Sequence, residues 1–117
     1  MFFGLAAVRG RPARALPYGT QRRVEMARAV TASPKLLLLD EPVAGMNAEE
    51  AEAVRALLLR LRASGLTILL IEHDMTFVMN LCDYLYVLDF GALIAEGTPS
   101  QIRSNPAVLD AYLGKED

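Results

Sequence analysis

Apolar residues run along this chain in two rhythms, and the switches between them mark out its elements. From Thr20 to Ala32 they recur at helical spacing, Val24 with Ala27 and Met26 with Ala29 and Val30, which predicts a helix stopped by Pro34. Lys35 to Leu39 is an unbroken apolar run, the pattern of a strand covered on both faces. Helical rhythm returns with Ala51, Val54, Leu58 and Leu61, behind an Asn47…Glu50 pair at capping-box spacing and ahead of a terminating Gly65. Leu66 to Ile71 is a second continuous strand. A short helix over Met75 to Cys82 follows, then strands over Tyr84 to Leu88 and Leu93 to Glu96 around a turn at Asp89-Phe90-Gly91. Two short helices open near Pro99 and Pro106. Strand, four-turn helix, strand is a βαβ unit, so the class is α/β with parallel strands, helices and a C-terminal β-hairpin.

Composition narrows this picture. With 117 residues there is room for one domain or part of one, and a hydrophobic share of 53% excludes a disordered chain. No run reaches the roughly 18 apolar residues of a spanning helix. The opening MFFGLAAV lacks the leading positive charge of an export signal, and arginines follow it, so a cytoplasmic chain is expected. Cys82 is the single cysteine, set among apolar residues and expected as a buried thiol. Net charge is -2, and the basic residues are spread out rather than massed in a stripe, which argues against nucleic acid as a partner. RGRPAR, Arg9 to Arg14, reads as a solvated helix surface.

Candidate chemistry collects where strands end. LLLLDEP drives four leucines into Asp40, Glu41 and Pro42, and the next strand runs into Glu72, His73 and Asp74. Ligands of open parallel sheets bind beyond the carboxyl ends of the strands. A bare buried carboxylate costs several kcal/mol or more, so such an ending implies a cation, a hydrogen-bond cage or an open cleft. A transition-metal site at Asp40, Glu41 and His73 is disfavoured, because adjacent strand positions point to alternate faces. Asp89-Phe90-Gly91 mimics a kinase triplet, but no catalytic HRD segment precedes it. Hydrophobic residues followed by Asp-Glu have the form of a Walker B strand, whose aspartate helps hold Mg2+ on a nucleotide and whose glutamate polarises the attacking water.

LPYGTQRRVEMARAV, PKLLLLDEPVAGMN and ILLIEHDM, in this order and spacing, resemble the second half of an ABC-transporter ATPase, a P-loop NTPase fold. GMN, LIEHDM, IAEGTP and the AYLG ending resemble its branched-chain amino acid group. The resemblance implies that Pro17, Tyr18, Gly19, Thr20 and Gln21 stand at the signature motif, Asp40 and Glu41 at Walker B, Asn47 in the D-loop, and His73 as the switch histidine. It further implies ATP and Mg2+ as ligands, a dimer with a second ATPase subunit glued by ATP, and membrane permease subunits with an indirectly linked solute-binding protein as partners. The location implied is cytoplasmic, peripheral to the inner face of the cell membrane. Residues 1–33 would be the end of the helical subdomain, and 34–117 the C-terminal part of the core. A helix N-terminus at Gly19 offers free amides to phosphate. Arg22 and Arg23 sit where the helix dipole disfavours cations; for them a salt bridge, with Glu25 three residues beyond Arg22, is preferred over an anionic ligand.

The sequence also departs from that family. Pro17 replaces the signature serine, Tyr18 its first glycine and Thr20 its glutamine, while Asn47 stands for the D-loop aspartate. G-x-x-x-x-G-K-[ST], whose amides and lysine cradle phosphates, does not occur, and neither Lys35 nor Lys115 can serve. A C-terminal fragment, inactive alone, is therefore expected. An unpaired apolar sheet edge should come with it. The alternative is a non-enzymatic half-domain that acts by associating with partners. An ABC ATPase of DNA repair or ribosome work is disfavoured by length.

Overall fold

The computed structural model describes Phe3 and residues 5–112; the opening Phe2 and the Leu113, Gly114 and Lys115 readings lie outside them. The chain divides after Glu72 into two compact units.

In the first unit, two 3-10 turns (Ala6–Val8 and Ala13–Ala15) lead into helix α1, Tyr18–Val30. The arginines at 9, 11 and 14 are exposed, the first two between these turns and Arg14 within the second, rather than on an α-helix. Pro17 is the N-cap residue of α1, where its missing N–H costs nothing because the first amides of a helix have no intrahelical acceptor. Strand β1, Leu36–Asp40, is followed by α2, Ala48–Ala63, and β2, Thr67–Ile71. Both ends of α2 are written in its sequence. Asn47 caps it, Glu49 and Glu50 favour its positive end, Arg60 and Arg62 favour its negative end, and Gly65 at φ +102° carries the chain away. Val54, Leu57, Leu58 and Leu61 form its buried stripe, with Met26 of α1 and Leu37 of β1 also buried. Each such side chain contributes about 1.5–3 kcal/mol through its removal from water.

β1 and β2 pair in parallel, Leu36 with Thr67 through Asp40 with Ile71. The βαβ unit is therefore as expected. Burial of its strands is not. Leu36, Leu38, Leu69 and Ile71 are all at least half exposed, so the sheet is covered on one face rather than two.

The second unit starts with α3, Met75–Met79, capped by Asp74, whose carboxylate accepts from the Phe77 amide (3.1 Å). Strands β3, Leu85–Asp89, and β4, Ala92–Gly97, form an antiparallel hairpin whose turn puts Phe90 at φ +50° and Gly91 at φ +80°. Helix α4, Pro99–Arg103, opens on a complete capping box between Thr98 and Gln101, and α5, Pro106–Ala111, is capped by Asn105. Cys82 is half-buried, not fully buried as its apolar neighbours suggest. No helix among the described residues is long and apolar enough to cross a membrane.

Candidate functional site

Parallel pairing fixes the geometry of the acidic rim. Asp40 ends β1 opposite Ile71 at the end of β2, so Glu41 and Glu72 are the first residues past two matched strand ends. The Glu41 amide donates to the Ile71 carbonyl (2.7 Å), carrying the ladder one step further. Glu41 then turns left-handed, at φ +47°, and its carbonyl accepts from the Ala44 amide (3.1 Å). A non-glycine residue in that region is held there only when its surroundings over-determine it. Here they do. Besides the two backbone bonds, Pro42 is fully buried, and the Glu72 carboxylate accepts from the Val43 amide (3.4 Å), tying the loop to β2. Asp40 and Glu41 themselves are exposed. His73 follows Glu72 directly, is exposed, and is the first residue of the second unit.

The other expected group, Pro17 to Gln21, begins α1. That helix has no side-chain cap and no acid in its first turn, while Gly19 and Thr20 are buried. The Gln21 side chain donates to the Leu16 carbonyl (2.9 Å), which fixes the entry to the helix. Arg23 donates to the Thr20 hydroxyl (3.2 Å) and to the Phe3 carbonyl (3.3 Å). The first turn of α2 faces this helix start. Pro17, Gly19, Thr20, Arg23, Glu49 and Glu50 are among the residues lining an open groove of about 220 Å³.

Asn47 supplies half of the expected capping box: its side chain accepts from the Glu50 amide (2.8 Å). The other half differs. Instead of turning back to Asn47, the Glu50 carboxylate lies against α1, its Oε2 2.7 Å from where a Cβ on Gly19 would stand. Only a residue without a side chain lets it approach so closely in its present rotamer.

Arg22 joins the helix to the rim. Its Nη1 pairs with Glu25 (2.9 Å), the expected salt bridge, and its Nη2 lies 3.5 Å from both the Asp40 and the Glu41 carbonyl oxygens. Within the first unit, then, the structure brings Asp40, Glu41, Glu72 and Arg22 together, and Gly19, Thr20 and Glu50 together. Sequence reasoning placed Glu72 on the rim without a role, although the equal strand endings make it the mate of Glu41. For Arg22 it found the Glu25 pair alone; no spacing rule reports a contact across eighteen residues.

As donors, Asp40 and Glu41 offer exposed carboxylate oxygens, the hard ligands a magnesium ion takes. The uncapped start of α1 offers backbone amides, which suit an anion. These residues fit a magnesium nucleotide. The loop that would cradle its phosphates is not among the 117 residues.

Two family models match: "ABC transporter" over residues 2–44, and "Branched-chain amino acid ATP-binding cassette transporter" over residues 92–117. The high-affinity branched-chain amino acid transport ATP-binding protein BraF of Pseudomonas aeruginosa is 50% identical over 106 residues, which is 90% of this chain and 42% of that protein. LivG of Escherichia coli, of the same description, is 49% identical over 113 residues, 96% of this chain and 44% of LivG. Among solved structures, the ADP conformation of an ATP-binding cassette of an ABC transporter matches with a TM-score of 0.87 at 36% identity, over 97% of this chain and 46% of that one. The chain spans less than half the length of these relatives.

Proposed function

Because the chain belongs to the ABC-transporter ATP-binding family, we propose that it is the Walker B half of an ATPase subunit that powers an importer of branched-chain amino acids. The observation that carries this reading is the parallel register that ends both strands level and sets Glu41 just beyond them, in the same unit as an uncapped helix start of signature type. In this reading residues 1–33 close the helical subdomain and 34–117 belong to the core.

Each residue has a role consistent with its place. Asp40 would hold the magnesium ion, which when bound neutralises phosphate charge. Glu41, exposed and fixed through its backbone, orients a water and takes its proton as general base. The amides at Gly19 and Thr20, with Pro17, Tyr18 and Gln21 setting the helix entry, offer donors to a terminal phosphate presented by a second ATPase subunit. His73, as the switch histidine, would contact a nucleotide phosphate. Asn47 anchors the loop between Walker B and α2. Permease subunits in the cell membrane, and through them a solute-binding protein, complete the assembly, with the ATPase on the cytoplasmic face.

A specific observation favours a second reading. The uncovered apolar face of β1 and β2 suits a piece that works by association with another polypeptide segment and does not turn over ATP by itself. One experiment separates the two. The chain is joined behind the first half of the Pseudomonas relative BraF, purified, and assayed for Mg-dependent ATP hydrolysis beside the 117-residue chain alone. Hydrolysis by the joined protein, lost about 100-fold or more in Glu41→Gln with ATP binding kept, is the expected result. No hydrolysis from a folded joined protein leaves the association reading; turnover undiminished by Glu41→Gln removes its role as base.

A further inference from the structure

We infer that Arg22 is a positioning residue for Glu41, coupling the orientation of the rim carboxylates to helix α1; the inference rests on the ATPase reading above. The geometry is specific. A guanidinium is a planar fork of donors, and one nitrogen of this fork lies 3.5 Å from two consecutive carbonyl oxygens, those of Asp40 and Glu41. Those carbonyls flank the point where the backbone leaves β1 and turns to φ +47° at Glu41. The other end of the fork is held at 2.9 Å by Glu25, one turn along the same helix. The pair is thus a strut from α1 to the backbone on either side of the Glu41 Cα.

Restraints on the Glu41 turn also come from β2 and from the turn itself, among them the Ile71 carbonyl, the Ala44 amide and the Glu72–Val43 bond. Arg22 adds hydrogen bonds from α1 to this turn. A movement of α1 is therefore transmitted to the direction of the Glu41 side chain. A positioned base loses about 10- to 100-fold in rate when displaced by around 1 Å, with little effect on binding. Sensitivity in kcat without sensitivity in KM is the signature of such a strut. A guanidinium that met the nucleotide itself would show the reverse.

The test uses the joined cassette and the 117-residue chain in parallel. Arg22→Ala in the cassette should lower kcat about tenfold or more with KM for ATP within about twofold, and Arg22→Lys should fall between, since an ammonium is a point charge without the fork. Wild-type kcat, or a raised KM with kcat kept, overturns the inference. Should Arg22→Ala fail to fold, Glu25→Gln carries the test: a severalfold loss of kcat at unchanged KM supports the strut, and wild-type values overturn it. If the unsubstituted cassette is inactive, the ATPase reading fails on its own account, and amide exchange in the 117-residue chain decides the strut. Arg22→Ala should then speed exchange of the Glu41 amide about tenfold while the Leu58 amide is unchanged, and equal Glu41 protection overturns the proposal.

Discussion

Of the three non-glycine residues at left-handed φ among those described, Glu41 at +47° and Phe90 at +50° show how differently local strain is arranged in the two units. Such a conformation costs on the order of 1–2 kcal/mol for an L-residue. At Glu41 it is enclosed by restraints from β2, from α1 and from its own turn, the pattern expected where a side chain must be aimed. At Phe90 the side chain is 99% exposed, so burial does not offset the strain. The hairpin turn was legible because Gly91 supplies one positive φ freely, but Asp-Phe-Gly gives no sign that Phe90 takes the other. Turns with two positive φ values prefer asparagine or glycine at that place. Phe90→Asn should accordingly stabilise the chain, by about 0.5–1 kcal/mol, read as a higher denaturant midpoint with an unchanged slope. A destabilised variant would mean that the ring makes a contact its exposure does not reveal.

Elements in this chain are specified mostly at their ends. Asn47, Asp74, Thr98 and Asn105 each accept a backbone amide at the start of a helix, and each precedes its helix in sequence as a polar residue ahead of an apolar pattern. Caps are contacts over two or three residues, which is why they can be read without knowing the fold. The Thr98–Gln101 box closes completely, whereas the Asn47–Glu50 box closes on one side because α1 offers Glu50 another position against Gly19. Local spacing cannot anticipate that competition. It does predict the cost of losing the half that forms. Asn47→Ala should destabilise the chain by about 1 kcal/mol and Asn47→Asp by much less, in chemical denaturation followed by far-ultraviolet circular dichroism. Equal losses for both would show that the amide nitrogen of Asn47, and not its capping oxygen, matters.

At the scale of the whole molecule, the parallel class, the rim carboxylates and the order of elements were all legible, because each follows from continuous apolar runs and their endings. Burial was not. LLLLD and TILLI carry apolar residues at every position before the rim apart from Thr67, which requires cover on both faces of a parallel sheet. The structure alternates instead: Leu37 is buried, while Leu36 and Leu38 beside it, with Leu69 and Ile71 on β2, are exposed. An apolar run states a demand for cover but not which segment meets it, and the relatives extend over more than twice the aligned length. A two-stranded sheet with one bare apolar face is a surface for association. The 117-residue chain in isolation should therefore self-associate in a concentration-dependent way in analytical ultracentrifugation. Leu38→Lys and Ile71→Lys, which place charge on the bare face and remove nothing from the buried stripe of α2, should shift it toward the monomer and leave helix content intact. If both substituted chains associate as strongly as the original, the sticky surface lies elsewhere. The exposed side chains of the β3–β4 hairpin, Tyr86, Leu88 and Leu93, are then the next place to introduce charge.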